Sequence, residues 1–453
     1  MLKHPVVATA LAAAFCLPIH AISAEDHTLA QIRAEIQNLK ESYEARIQSL
    51  EKRLQESEAK ASQALPLVAS SVPPAAPAKA AANALNPDVS LILGGSYSRL
   101  SKDPNQYRLQ GFMPGGVEIG PGKRSFNLGE SELTLSAHID PLFSGKLTFA
   151  LSPDNQISVE EAFFQTQGLS NGINLKGGRF LSSVGYLNNQ HAHTWDFVDA
   201  PLVYQAMFGG QYAADGMQFT WLAPTEKFVE LGLEAGNGSA FPGNDRNKNG
   251  AGSFAAFAHI GDDIGESASW RAGLSYLQTS ARGRTYNDPL NSLDTAFDGT
   301  SKIWIVDGIY KWAPNGNATR THLKLQGEYF RRQETGTLTQ GAGTLGFSSL
   351  QSGGYLQAIY QFMPAWRVGL RHDRLNSGTP NLDFGSSPLT SADFPLLAKY
   401  RPSRHSLMFD YSPTEFSRFR LQFAQDKSRP EATDHQILLQ YIMSLGVHGT
   451  HSF

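Results

Sequence analysis

The chain has 453 residues, a formal net charge of −3 and a single cysteine, Cys16. That charge leaves no electrostatic footprint for nucleic acid, and a lone cysteine inside the N-terminal apolar stretch leaves the rest of the chain without disulfides. After that stretch no apolar run is long enough for a spanning helix, so any membrane crossing must use strands of about ten alternating residues each.

Residues 1–24 read as a secretory signal. Lys3 and His4 start it, 6–17 is apolar, and Ala21-Ile22-Ser23-Ala24 offers small residues for cleavage. In 25–61, Leu29, Ile32, Ile36, Leu39, Tyr43, Ile47, Leu50 and Leu54 recur at spacings of three and four, a heptad seam with one stutter. A helix this short cannot bury such a stripe alone, so the seam predicts a coiled coil and a homo-oligomer, with a trimer suiting a barrel. Residues 62–88 lose periodicity in an Ala/Pro/Ser linker, which marks the boundary of the domain at 89–453.

From 89 onward the pattern has period two. Sixteen strands are predicted, near 89–98, 129–139, 145–152, 157–167, 172–181, 214–223, 227–236, 253–261, 268–279, 301–312, 320–332, 353–363, 365–375, 404–412, 416–427 and 434–446. Alternate connections are short, four of them built on proline: Ala223-Pro224-Thr225, Ala313-Pro314-Asn315, Met363-Pro364-Ala365 and Ser412-Pro413-Thr414. The opposite connections are mostly long: 99–128, 182–213, 237–252, 280–300, 333–352 and 376–403. Short turns on one side, long loops on the other and an even strand count predict an all-β chain, a transmembrane antiparallel β-barrel.

The connection 182–213 has no clean period and concentrates His191, His193, Trp195, Asp196 and Asp199. Long connections without regular structure are usually functional, and this one is expected to fold into the cylinder, with Tyr186, Trp195, Phe197, Tyr204 and Phe208 either packing it on the wall or forming an apolar slide for sugars. Strand phase turns Lys324, Arg332, Arg367, Arg371, Arg418 and Arg420 inward, and likewise Glu130, Glu132, Glu230 and Glu234. A basic wall facing an acidic one would set a transverse field that orients solutes and selects ions. His191, His193 and Asp196 form a plausible zinc set; the plainer alternative is that they hydrogen-bond the loop to the wall. The Asp245–Gly250 run resembles half a calcium loop, but Ala256 stands where the last carboxylate is needed. No nucleophile-and-base grouping or Gly-X-Ser-X-Gly occurs, so no enzyme is expected.

The last strand alternates through Ile437, Leu439, Tyr441, Met443 and Leu445, and the chain ends at Phe453. Here it resembles the bacterial outer-membrane porin superfamily, and the helical seam resembles the DcaP-type and phosphate-selective porins. This resemblance implies an outer-membrane site among lipid and lipopolysaccharide, a periplasmic helix, recognition of Phe453 by the barrel-assembly machinery, and passage of small hydrophilic solutes. It also implies a third loop folded inward as a constriction. The stretch Gly178-Arg179-Phe180 through Gln190-His191-Ala192-His193-Thr194-Trp195-Asp196-Phe197 is similar to outer-membrane proteins named as zinc-regulated, TonB-dependent receptors. Those need a plug domain, and the segment before the first strand is too short for one. A passive channel, a zinc-linked receptor and an envelope tether are the three readings.

Overall fold

The structure, a computed structural model, describes residues 87–446 except 117, 118, 130 and 154. The expected signal segment, the coiled coil, nearly all of the linker, Glu130 and Phe453 lie outside the described residues.

One antiparallel sheet closes on itself. In chain order its strands are β1 Asp88–Leu100, β2 Ser125–Leu128 continued by Ser131–His138, β3 Phe143–Leu151, β4 Ile157–Thr166 and β5 Ile173–Leu181. There follow β6 Ala213–Leu222, β7 Phe228–Gly236, β8 Ser253–Ile264, β9 Ala268–Asp288, β10 Leu293–Trp312 and β11 His322–Gln340. The last are β12 Gly343–Met363, β13 Trp366–Asn376 continued by Asn381–Asp383, β14 Ser403–Thr414, β15 Ser417–Arg429 and β16 Ala432–Gly446. Two of these strands are interrupted: both pieces of β2 pair with β1, and both pieces of β13 pair with β12. The 18 hydrogen-bonded segments are therefore sixteen strands. β1 and β16 zip together from Ser90↔Gly446 to Leu100↔Gln436 and close the cylinder, so no edge is left to aggregate.

All sixteen predicted strands are present, but two predicted long loops are not loops. Residues 280–300 and 333–352 extend β9 to β12 into tall hairpins whose pairing continues to Asp288↔Leu293 and Gln340↔Gly343. The long connections that remain are 101–124, 182–212, 237–252 and 384–402.

The outer face is apolar. Trp304, Val306, Leu325, Tyr329, Leu356, Leu370, Phe409, Phe419 and Phe423 all lie exposed on it. Water would make so continuous a patch unfavourable, whereas acyl chains match it. Trp366 stacks on Tyr411 and Phe419 tilts against Tyr441 near the short-turn end, with ring centroids 4.5 and 4.6 Å apart, where amphipathic rings of a girdle belong. No helix among the described residues is long and apolar enough to cross a membrane. Leu370 is 60% exposed in the middle of this belt. Leu370→Arg is expected to cost about 2–4 kcal/mol of folding free energy in lipid, read as a lower urea midpoint in vesicles. An unchanged midpoint would mean that this face does not meet acyl chains.

Loops pack into the interior. Leu109 and Phe112 of 101–124 pack with Val184, Leu187, Leu202, Tyr204, Met207 and Phe208 of 182–212. Their seat is an apolar patch of wall, Leu277, Ile303, Ile305, Phe330 and Tyr355 on β9 to β12. Higher up, Met113, Phe394, Leu396 and Leu397 pack against Phe297, Leu338, Leu345 and Phe347 of the tall hairpins.

Candidate functional site

The 182–212 loop lies inside the cylinder and touches it on opposite sides. Its ends are stapled by Asn188, whose amide donates to the carbonyls of Ser182 and Tyr212, both at 2.8 Å, and accepts from the Tyr212 amide at 2.8 Å. The first turn leans on β7: the Ser182 hydroxyl and the Ser183 amide donate to Glu234 at 2.6 and 3.0 Å. It next meets β9, where the Gly185 amide donates to Ser275 at 3.0 Å. On β11, Glu328 accepts from the amides of Tyr186 and Leu187, both at 3.0 Å, and from the Tyr204 and Tyr355 hydroxyls.

From there the chain crosses to the acidic side. A one-turn 3-10 helix, Ala192–Thr194, follows His191 and presents both imidazoles to the wall. His193 Nδ1 lies 2.8 Å from Glu132 Oε1 on β2, and His191 Nδ1 lies 3.1 Å from the other oxygen of the same carboxylate. His191 also reaches β4, with Nδ1 at 3.2 Å from Glu160 and Nε2 at 3.0 Å from Glu161. Adjacent strand residues normally face opposite ways. Here a β-bulge intervenes, because Thr148 pairs with Glu161 and Phe149 with Val159. Glu160 is the extra residue, and the bulge turns both carboxylates toward the bore. Lys146 completes the group, 2.7 Å from Glu161. Burial opposes a charge on His191, yet Glu132, Glu160 and Glu161 raise its pKa well above the ordinary imidazole value.

A few residues later the loop meets the basic side. Asp196 pairs with Lys324 at 2.5 Å and Arg367 at 3.3 Å and accepts from Gln357 at 3.1 Å. Asp199 pairs with Arg371 at 2.8 Å and Arg404 at 2.7 Å and accepts from Gln422 at 2.9 Å. Burial opposes ionisation of both aspartates, but Lys324 and Arg367 for Asp196, and Arg404 and Arg371 for Asp199, hold them well below the usual carboxylate range. Arg420 donates to the Trp195 carbonyl at 2.6 Å and Arg418 to the His193 carbonyl at 3.3 Å. The Trp195 indole itself donates to Gln190 at 2.9 Å.

The loop then forms α1, Leu202–Phe208, with every residue buried. Asp373 accepts from the Leu202 amide at 2.9 Å, and Arg332 donates to the Ala206 carbonyl at 3.1 Å. Gly209 ends the helix at φ 71°, the left-handed cap that glycine favours. A β-carbon there would run into the carbonyl of Gly115 in the 101–124 loop. Gly209→Val is expected to cost about 1–3 kcal/mol and to expose 182–212 to protease in the folded protein. An unchanged cleavage pattern would contradict this packing.

The side chains named from sequence divide as follows. Lys324, Arg332, Arg367, Arg371, Arg418, Arg420, Glu132, Glu230 and Glu234 all point into the cylinder. Glu230 is engaged by His259 Nδ1 at 2.8 Å. The expected zinc set does not assemble, because Asp196 sits on the basic side while Glu132 stands beside the two histidines. The expected transverse field is altered as well. Asp373, Asp410 and Asp426 lie buried among the arginines, with Arg367 only 2.7 Å from Asp410 and Arg371 2.9 Å from Asp373. The basic wall is thus largely neutralised by its own strands and by the loop, and its arginines anchor first. Sequence reading missed Glu328 and Asp373, which share the inward phase of the residues named on their own strands, and Arg404 and Asp410, which pair across to Asp373 and Arg367. It also missed Glu160 and Glu161, which only the bulge brings together.

No protein-family model matches the chain. A protein of Aquifex aeolicus (strain VF5), described only as uncharacterized, is 33% identical over 396 residues, covering 81% of this chain and 80% of its own. Among solved structures, a loop-deletion form of the Vibrio cholerae outer membrane protein OmpT is 12% identical and superposes with a TM-score of 0.51 over 80% of this chain and 99% of that one. The outer membrane channel DcaP of Acinetobacter baumannii is also 12% identical, with a TM-score of 0.47 over 79% of this chain and 97% of its own.

Proposed function

Since the chain belongs to one family with the Aquifex aeolicus protein and has the barrel fold of the bacterial outer-membrane porin superfamily, we propose that it is an outer-membrane channel. It passes small hydrophilic solutes or ions by diffusion, with loop 182–212 as the constriction. The observation that carries this reading is the loop's course: histidines on the acidic side, aspartates on the basic side, and a buried helix against β11 to β13. A solute crossing the cylinder has to pass beside this bar. Polar side chains at the crossing, with a lipid-matched exterior, suit hydrophilic passengers.

The test is liposome swelling with purified protein and a graded series of sugars and amino acids. Rates that fall steeply with solute size support a narrow diffusion path; no swelling with any solute rejects it. The heptad seam at 29–54 supports self-association, and a homotrimer with the helix in the periplasm suits the barrel. Crosslinking of the intact protein checks this, with a monomer-only pattern against it.

A further inference from the structure

We propose that Glu132, His191 and His193 form a binding site for a divalent transition-metal ion of the zinc type, which fastens the 182–212 loop to the acidic side of the barrel. The site goes beyond the channel reading, since it depends on where the loop docks and not on what the barrel conducts.

Three observations carry it. One donor atom from each of the three residues lies within 4.8 Å of the other two. The two rings are stacked, with centroids 5.6 Å apart and planes 29° from parallel, and both Nδ1 atoms face the same carboxylate, at 3.1 and 2.8 Å. A tetrahedral ion with bonds of about 2.0–2.2 Å holds its ligands roughly 3.3–3.5 Å apart. The set therefore closes around an ion with movements of about an ångström.

The second observation is the outer ring of the cluster. Glu161 stands 3.0 Å from His191 Nε2, on the far side of the ring from Glu132. A carboxylate accepting the second N–H of a metal-bound imidazole fixes its tautomer and orientation. Glu160, 3.2 Å from His191 Nδ1, is placed to fill the fourth position, which water fills otherwise.

The third is charge and ligand type. Glu132, Glu160 and Glu161 converge here against Lys146, so the pocket has an excess of negative charge that a divalent cation answers. Two imidazole nitrogens with carboxylate oxygen select zinc and its neighbours over calcium or magnesium, which take oxygen ligands. The ligands must be free of protons on the binding atoms, so the ion enters as protons leave. Because Glu132 belongs to the wall and the histidines to the loop, the ion bridges two elements far apart in sequence.

The probe is zinc chloride alone, titrated calorimetrically into chelator-stripped, full-length protein folded in detergent. The expected result is one saturable event per chain. That event disappears in His191→Ala/His193→Ala and weakens at least tenfold in Glu132→Gln, while zinc K-edge spectra of the loaded protein report two imidazole ligands. His372→Ala/His405→Ala, which removes a stacked histidine pair on the outer face, leaves the event unchanged. No saturable event in the wild type, or the same event in the double variant, overturns the proposal. Heat-modifiable mobility reports whether each variant folds. If the double variant does not, Glu132→Gln decides: undiminished affinity overturns the site. The calorimetric event is read on protein in detergent with no solute crossing a membrane, so failure here is distinct from failure of the channel reading.

Discussion

Replacing Glu328 by alanine is expected to detach the 182–212 loop from the barrel. This one buried carboxylate receives two loop amides, Tyr186 and Leu187 at 3.0 Å each, and the hydroxyls of Tyr204 and Tyr355, at 2.9 and 2.7 Å. Truncation leaves those donors buried with nothing to accept them. Each orphan costs about 1–3 kcal/mol, so the summed loss is several kcal/mol and falls on the loop rather than on the sheet. The readout is limited proteolysis of the folded protein, with new cleavage inside 182–212 and an intact barrel fragment. Glu328→Gln keeps the shape and part of the acceptor capacity and is expected to fall between. A cleavage pattern identical to wild type in both variants would remove Glu328 from its anchoring role.

Asp199→Ala is expected to have the second large effect, on the opposite side. It strands Arg371 and Arg404, both 1% exposed along their side chains. Removing one partner of a buried pair costs about 3–5 kcal/mol. Asp373 still faces Arg371 at 2.9 Å, which tempers the loss, and Arg404 keeps only more distant aspartates, at 3.7 and 3.8 Å. The sheet persists through its continuous ladders. The loop's hold on β13 to β15 loosens, though Arg367, Asp373 and Arg420 still engage it, and the expected sign is a larger single-channel current together with a lower urea midpoint. Asp199→Asn, which retains the Gln422 contact, is expected to show a smaller change. An unaltered current in both variants would place Asp199 outside the conducting path.

The barrel was legible because its strands sit between two different solvents. Where lipid lies outside and polar groups inside, as in Phe419, Leu421 and Phe423 against Arg418, Arg420 and Gln422 on β15, alternation gives both the strand and its facing. The rule reverses in the tall hairpins. Phe297, Leu338, Leu345 and Phe347 point inward against the loops, while Thr335, Thr337 and Thr339 face outward above the membrane belt. Apolar residues no longer mark the lipid side there, so 280–300 and 333–352 read as loops. On β10 both faces are apolar, with Trp304 and Val306 to lipid and Ile303 and Ile305 under the loop. Such a two-sided run is the one sequence trace of an apolar filling.

The site was legible in its parts and not in its partners. Proximity along the chain joined Asp196 to the two histidines, but the 3-10 turn at Ala192–Thr194 sends the following residues to the other side. The partners of His191 come from β2 and from a bulge in β4, and no local pattern announces a bulge. The aspartates among the arginines were in phase all along. Reading only the basic residues of β13 to β15 made a wall of what is a ladder of ion pairs.

Single-channel conductance in planar bilayers, comparing wild type with Asp196→Asn/Asp199→Asn, tests most directly the central proposal, that loop 182–212, held on both sides, sets the width of the path. A small ohmic current in the wild type that grows at least twofold when the aspartates are neutralised is the predicted result. No current from either protein, or the same current from both, would contradict it.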